Sequence, residues 1–237
     1  MKVSLIIPVY NEENTVAVVL LRVARAELPP GFSSEIIVVD DFSSDGSAKK
    51  ISRLKSRLRL KVISHARNRG KGAAVRSGLQ LAVGDLVLIQ DADLEYDPKY
   101  YYRLLDRFSS PDVDVVYGSR LVNYPLKLWG STKTPLPLHL VANKFLTLLT
   151  NWLYGQAVTD METGYKVIRK KLLDQLELSA NRFDFEPELT AQILKRGIKI
   201  TEVPIKVKPR GYHEGKKISW VDGLVAIWTL VRHRFKD

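Results

Sequence analysis

The sequence predicts an α/β protein with a mostly parallel central sheet and helices on both faces. Two observations carry this. Short apolar runs alternate with longer stretches of helical apolar spacing, the pattern of strand–helix units in a parallel sheet. Most runs also end in a polar cluster, and in such sheets ligands bind outside the carboxyl ends of the strands.

Lys2–Val9 (KVSLIIPV) reads as a buried strand ending at Tyr10–Asn11. Asn14–Leu28 has helical spacing and stops at Pro29–Pro30–Gly31. Glu35–Asp41 is a second buried strand, Phe42–Gly46 a turn, and Ser47–Arg59 a helix with a basic face. Lys61–His65 is a third strand. The loop Arg67–Gly72 and a helix reaching about Val83 follow it. Asp85–Asp91 and Asp114–Arg120 are the fourth and fifth strands.

The second half is less regular. Leu136–Tyr154 is apolar on most faces but carries His139, Asn143 and Lys144. Gly164–Arg169 reads as a strand, Phe185–Arg196 as a helix, and Ile198–Val207 as a strand that Pro204 pushes to a sheet edge. Ser219–Phe235 is a helix with two Trp and a basic end. These elements make one domain over 1–237, with a ligand-binding half (1–117) and a second half (118–237).

Composition removes several classes. The 237 residues are 45% hydrophobic, enough for a core, and contain no cysteine. Disulfides, thiolate metal sites and a Cys nucleophile are therefore excluded. Four scattered His leave oxygen ligands for any metal. With 37 Lys+Arg against 26 Asp+Glu, the net charge of +11 favours anionic partners. The longest uncharged stretch, Phe145–Thr159, has 15 residues, short of the ~20 a spanning helix needs. The N-terminus lacks a signal-peptide pattern. A cytoplasmic protein without a transmembrane helix is expected, peripheral at the membrane face. Leu136–Tyr154 and Ser219–Phe235 are the candidates for lying on a membrane, with core packing as the alternative. From Lys49 to Gly84 there are 11 basic and no acidic residues. The helical part lacks aromatics for base stacking, so nucleic acid is not the expected partner.

Asp91–Ala92–Asp93 with Glu95 is the strongest local signal. Carboxylates converging at a strand end repel unless a cation neutralises them, and Mg²⁺ or Mn²⁺ takes one or two carboxylates plus phosphate oxygens. Alone, the motif also suits a solvated acidic turn. Asp40 and Asp41 close the second strand. Adjacent residues face opposite ways, so one of them is expected to reach a ligand and the other to cap the turn. Arg67–Gly72 precedes a helix and offers close backbone approach to a phosphate, although it is neither a Walker loop nor a dinucleotide fingerprint. Arg120, Lys166, Arg169, Arg182, Arg210, Lys216 and Lys217 supply second-half cations, and Arg210–Lys217 is a Gly-punctuated loop suited to closing over a ligand.

In combination these residues resemble the inverting GT-A-fold glycosyltransferases of the polyprenyl- or dolichyl-phosphate sugar synthase family. The matching segments are Ile7–Glu13, Val38–Gly46, Asp91–Glu95, Gly118–Arg120, Thr163–Lys166 and Glu202–Ile205. The resemblance implies a Rossmann-like GT-A domain that moves a hexose or N-acetylhexosamine from a GDP- or UDP-linked sugar to a polyprenyl phosphate. It implies that Pro8, Tyr10, Glu12, Asp40 or Asp41, Lys71, Asp91 and Ala92 contact the donor. Asp91, Asp93 and Glu95 would handle the metal. Asp93, Arg120 and Arg210 would act at the reacting groups, with Lys216 or Lys217 on the closing loop. Glu95 departs from the Gln of many relatives. Many bacterial relatives also carry C-terminal transmembrane helices, which this sequence lacks. An acceptor phosphate is already ionised and needs no base. A sugar-hydroxyl acceptor needs one, and Asp184 and Glu186 are the candidates. A nucleotidyltransferase would need a Gly- and Arg-rich loop after Lys2–Val9, which is missing.

Overall fold

A computed structural model describes residues 1–122, 137–208 and 220–235, without the side chains of 137–139. Seven strands form one sheet in the order β3-β2-β1-β4-β6-β5-β7. They are β1 (Lys2–Val9), β2 (Ser33–Asp40), β3 (Lys61–Ser64), β4 (Leu86–Ile89), β5 (Val115–Ser119), β6 (Lys166–Arg169) and β7 (Ile200–Pro204). Pairings are parallel except those of β6, which runs antiparallel to both β4 and β5. β7 is an edge strand and Pro204 is its last residue, which suits a residue unable to donate to a ladder.

The strands read as continuous apolar runs because both faces are covered. Val3, Leu5, Ile7 and Val9 of β1 face α1 (Val16–Ala24) and α4 (Tyr101–Leu105). Ile6 faces the opposite core, which holds α3 (Lys71–Leu81), α5 (Pro137–Tyr154), α7 (Phe185–Lys195) and α8 (Trp220–Phe235). The same alternation separates Ile36 and Val38 from Ile37 and Val39 on β2. Two short helices, α2 (Ser47–Lys55) and α6 (Lys170–Leu173), complete the set.

Two expectations change in detail, and one helix was not foreseen. The first helix begins at Val16 rather than Asn14, because the Glu12 carbonyl accepts from both Thr15 N and Val16 N and closes a turn there. The second ends at Lys55, before a turn in which Arg59 takes a left-handed φ of 50°. The five-residue α4 is too short for its periodicity to be read.

At the amino edge of the sheet one carboxylate ties four segments together. Glu35 accepts from Ser4 Oγ (2.6 Å) and Val83 N (2.9 Å) and pairs with Lys2 and Lys61, each at 3.0 Å. Burial opposes its ionisation. The hydrogen bonds from Ser4, Val83, Lys2 and Lys61 outweigh that and hold it down at about 2. A depressed carboxyl stabilises the fold above its unfolded value and loses that contribution as pH falls through the folded one. Glu35→Gln is therefore expected to lower urea-unfolding stability at pH 7. The gap to wild type should close between pH 4.5 and 2, and a gap independent of pH would contradict this account.

Candidate functional site

The site lies at the carboxyl edge of β1, β2, β3 and β4. Its first wall is two meshed turns. Asn11, with φ of 50°, donates from its backbone N to Ser43 Oγ (3.0 Å), and its side-chain oxygen accepts from Ser44 N (2.8 Å). Glu12 N donates to Ser47 Oγ (2.8 Å), and Glu13 N to Asp45 Oδ2 (2.9 Å). Tyr10 and Phe42 stand exposed on these two turns. Pro8 is partly buried within β1. The Glu12 carboxylate is buried and accepts from Thr15 Oγ1 (2.7 Å), which places it at the start of α1.

The two adjacent aspartates have different duties. Asp40 Oδ1 accepts from Ser43 N (3.3 Å), and Asp40 pairs in register with Ser64. An open hollow of about 450 Å³ begins there, lined by Ser64, His65, Ala66, Arg67 and Arg69. Asp41 points the other way. It accepts from Arg69 N (2.8 Å), Gly70 N (2.7 Å) and Asn68 Nδ2 (2.9 Å), and contacts His65 Nδ1 at 2.6 Å. An ionised carboxylate only accepts, so His65 Nδ1 is the donor. In the neutral ring Nε2 then accepts from Ser77 Oγ (2.9 Å). Ser77 lies inside α3, so this Ser–His–Asp chain of contacts links the helix to the strand ends. It fixes the loop that leads to α3.

That loop delivers Lys71, the first residue of α3. The expected phosphate contact is not where the side chain goes. Its Nζ lies 2.8 Å from Asp91 Oδ1 and 2.8 Å from Glu186 Oε1, largely buried. Burial disfavours the ammonium, but the two carboxylates outweigh it and hold Lys71 charged. Glu186 lies in the first turn of α7, and its Oε2 is buried with no hydrogen-bond partner among the described residues. Asp184, just before α7, accepts from Arg182 N (2.9 Å).

The Asp91–Glu95 turn is set from beneath by Gln90. Its side-chain oxygen accepts from Tyr101 OH (2.8 Å) and Tyr165 OH (2.7 Å), while its amide donates to the Asp91 carbonyl (2.8 Å). Ala92 is buried, and Leu94 takes a left-handed φ of 65°. Asp93 Oδ1 accepts from Glu95 N (3.0 Å). A Cβ on Gly164 would lie 2.6 Å from Asp91 Oδ2, so only glycine permits that approach.

Asp91, Asp93 and Glu95 are the residues expected to handle a metal, and all three lie on this one turn. Among the described residues no group of three or more His, Asp or Glu is gathered to hold a cation. Lys71 already neutralises Asp91, so convergence is not needed for charge balance. Asp93, partly exposed on the turn, has the hard oxygen chemistry that Mg²⁺ or Mn²⁺ takes alongside diphosphate oxygens. The donor set therefore fits a cation held mainly through the ligand.

The second-half cations are divided. Arg120 makes a bidentate pair with the fully buried Asp160, Nε to Oδ2 at 2.7 Å and Nη2 to Oδ1 at 2.8 Å. Lys166, expected to offer itself to a phosphate, is turned inward. It donates to the carbonyls of Met161 (2.9 Å) and Thr163 (2.5 Å) and lies 4.4 Å from the Tyr117 ring centre. Arg169 sits at the far end of the sheet, because β6 runs antiparallel, and pairs with Asp114. Arg210, Lys216 and Lys217 lie outside the described residues.

Sequence reasoning missed Gln90 and Asp160 as site-building residues. Their signal was polarity next to apolar runs. Nothing in one sequence says which distant partner each will meet.

A family model described as Glycosyl transferase family 2 matches residues 4–177. The chain is 30% identical over 224 residues to a dolichol-phosphate mannosyltransferase of Pyrococcus furiosus, covering 91% of this chain and 59% of that protein. It is 30% identical over 217 residues to an undecaprenyl-phosphate 4-deoxy-4-formamido-L-arabinose transferase of Salmonella paratyphi B, covering 91% and 62%. It thus spans about three fifths of the length of these curated relatives. Its structure is similar to glucosyl-3-phosphoglycerate synthase of Mycobacterium tuberculosis, crystallised with Mn²⁺, UDP and glucosyl-3-phosphoglycerate. That TM-score is 0.73 at 20% identity, covering 98% of this chain and 79% of that one. The fold is GT-A.

The Asp41 arrangement has a direct consequence. Asp41→Asn puts an NH₂ donor where N–H groups already converge, at a cost of about 2–4 kcal/mol. Denaturant unfolding should show this loss, whereas Asp40→Asn should stay within about 1 kcal/mol of wild type. Equal effects would mean the two roles are misassigned.

Proposed function

The chain belongs to glycosyl transferase family 2, and from that premise we propose that it moves a hexose or N-acetylhexosamine from a nucleoside diphosphate sugar to a polyprenyl phosphate, inverting the anomeric carbon. The observation that carries the reading is the meeting of three turns, Tyr10–Glu13, Asp40–Ser47 and Asp91–Glu95, at one carboxyl sheet edge. That is where an α/β sheet binds nucleotides. The whole chain acts as one catalytic unit, since strands from both halves interleave in one sheet.

In this reading the nucleoside lies against Tyr10 and Asp40, with the hollow at Ser64–Arg69 beside it. Asp40 offers acceptor oxygens to a base N–H or ribose hydroxyl. Asp93 holds the Mg²⁺ or Mn²⁺ that comes with the diphosphate, and Glu95 is next in reach along the turn. When bound, the cation supplies Lewis-acid stabilisation of charge on the departing diphosphate. Arg120, oriented by Asp160, faces the phosphates. An acceptor phosphate oxygen forms the new bond to the anomeric carbon as the bond to the donor's β-phosphate oxygen breaks. The acceptor is already ionised at neutral pH, so no proton has to be removed. Glu186, which shares the Lys71 ammonium with Asp91, is not needed as a base.

A membrane surface supplies the acceptor. No helix among the described residues is long and apolar enough to cross a bilayer. Instead α5 and α8 pack side by side, joined by Tyr154 OH to the Leu230 carbonyl (2.8 Å) and Arg234 Nε to the Leu153 carbonyl (2.7 Å). Both carry outward apolar stripes. On α5, Phe145, Leu148 and Trp152 are 54%, 68% and 78% exposed; on α8, Trp220, Leu224 and Trp228 are 78%, 55% and 65% exposed. Tryptophan-rich stripes beside Arg232 and Arg234 suit an interfacial position on the cytoplasmic leaflet.

Two measurements test this. Calorimetry with UDP-glucose, UDP-GlcNAc and GDP-mannose should find one donor that binds with Mn²⁺. Asp93→Ala should weaken it at least tenfold, about 1.4 kcal/mol. No binding by any donor to the wild-type protein would count against the transferase reading. In vesicle co-sedimentation, Trp152→Ser with Trp228→Ser should lose most binding to anionic vesicles while donor affinity stays within twofold. Undiminished sedimentation would remove the membrane assignment.

A further inference from the structure

The basic run from Lys49 to Gly84 is only partly used by the site described above. Lys71 goes to Asp91 and Glu186, Lys50 to Glu13 and Lys61 to Glu35. Lys49, Arg53, Lys55, Arg57 and Arg59 are left exposed on α2 and the turn behind it, and their side chains meet no carboxylate among the described residues. The inner side of this segment is apolar, with Ile51 in the core and Leu54 and Leu58 packed against it. Arg59 takes its left-handed φ of 50° where Leu60 N turns back to the Lys55 carbonyl (2.9 Å), a corner that ordinarily favours glycine. A cation stands there instead.

This turn leads straight into β3, which forms one edge of the sheet and pairs only with β2. His65 N donates to the Asp40 carbonyl (2.9 Å). Alternation along a parallel ladder then turns the peptide groups of Ile63 and His65 towards β2 and those of Val62 and Ser64 outward. No described backbone group pairs with that outer side. Cations stand at both ends of the strand, Arg57 and Arg59 where the chain enters it and Arg67 and Arg69 where it leaves. Such an edge repels a second copy of itself. An extended chain of opposite charge would gain main-chain hydrogen bonds and ion pairs together.

Two other polyanions match less of this. A nucleic acid would meet the cations but leave the Val62 and Ser64 peptide groups unpaired, and no Phe, Trp or Tyr lies between Lys49 and Gly84 to stack on a base. A membrane leaflet is one surface, and α5 and α8 pack on the opposite core from Ile51 and Leu54. A leaflet holding the α5–α8 stripes does not reach α2. We propose that the outer edge of β3, with the cations of α2 and the turn after it, docks an extended acidic segment of a partner protein as an added strand.

The probe is a ten-residue peptide of five Glu-Val repeats, whose alternation puts every carboxylate on one face of a strand. Titrated into the wild-type chain at low salt, it should bind, and NMR-detected hydrogen exchange should slow at least tenfold at the Val62 and Ser64 amides. Arg53→Glu with Arg57→Glu should weaken the peptide at least tenfold, while Lys171→Glu on α6 should leave it within twofold. The same peptide N-methylated at every residue keeps its charges but cannot donate to a strand, and it should also bind at least tenfold more weakly. Absence of binding overturns the proposal. So does an N-methylated peptide that binds as tightly, or unchanged exchange at Val62 and Ser64 in the bound state. An RNA duplex or anionic lipid vesicles that bind more tightly than the peptide, and lose that binding in Arg53→Glu with Arg57→Glu, overturn the choice of partner. Neither sugar donor nor lipid acceptor is present, so failure here is distinct from failure of the donor calorimetry.

Discussion

The burial of the Asp41 charge constrains the rest of the site. A carboxylate that leaves water must find donors, and Asp41 finds them in the backbone of Arg69 and Gly70, the Asn68 amide and the His65 ring. Those contacts fix the path from β3 into α3. Gly70, with φ of 95°, makes the last corner, and Ala73 N then donates to the Asn181 carbonyl (3.0 Å). The helix can therefore start at only one place, and Lys71 enters the site at a set height. Lys71 in turn holds Asp91 and Glu186. One buried charge in the amino-terminal half thus sets the spacing between the Asp91 turn and α7.

The second half is built by the same rule with the signs arranged differently. Asp160 is fully buried and answers with Arg120 on one side, through both guanidinium and backbone N–H groups. Thr163 Oγ1 donates to the Gly118 carbonyl at 2.5 Å, and Lys166 closes the loop by taking two of its carbonyls. Burial drives Lys166 down to about 8, against the pull of Glu186 and Glu162. The two halves meet at this edge through charges as well as through the packing of Tyr96 and Tyr101 on Tyr165. A change at one carboxyl is therefore felt at its neighbours, as expected of a low-dielectric network.

Much of this was legible in the sequence and some was not, for identifiable reasons. Strand positions were readable because both faces of the sheet are covered, so Leu5–Val9 and Leu86–Ile89 are unbroken apolar runs. The edge position of β7 followed from Pro204. The site's turns were readable because polar clusters closed those runs. The division of labour between Asp40 and Asp41 was only half readable: alternation said they differ, but not which faced the loop. The Lys71–Glu186 pair was invisible, because no local spacing relates a residue on α3 to one on α7. Lys166 was misread as an available cation because a lysine in a strand next to glycine and tyrosine looks solvent-facing. Only the fold reveals that its strand runs antiparallel in the middle of the sheet.

Asp91 and Asp93 show how far environment outweighs residue type. They are the same side chain two positions apart on one turn. Asp91 lies under Gly164, where no Cβ fits, with an ammonium 2.8 Å away, so its charge is spent inside the protein. Asp93 lies past the buried Ala92, braced by the Glu95 backbone N–H, and is partly exposed. Sequence spacing puts both on one side of an extended chain and predicts a shared role. The left-handed turn at Leu94 and the lysine arriving on α3 separate them. Asp91 becomes the part that sets the turn's position and Asp93 is left on its outer side, a division decided by where the nearest positive charge was already committed.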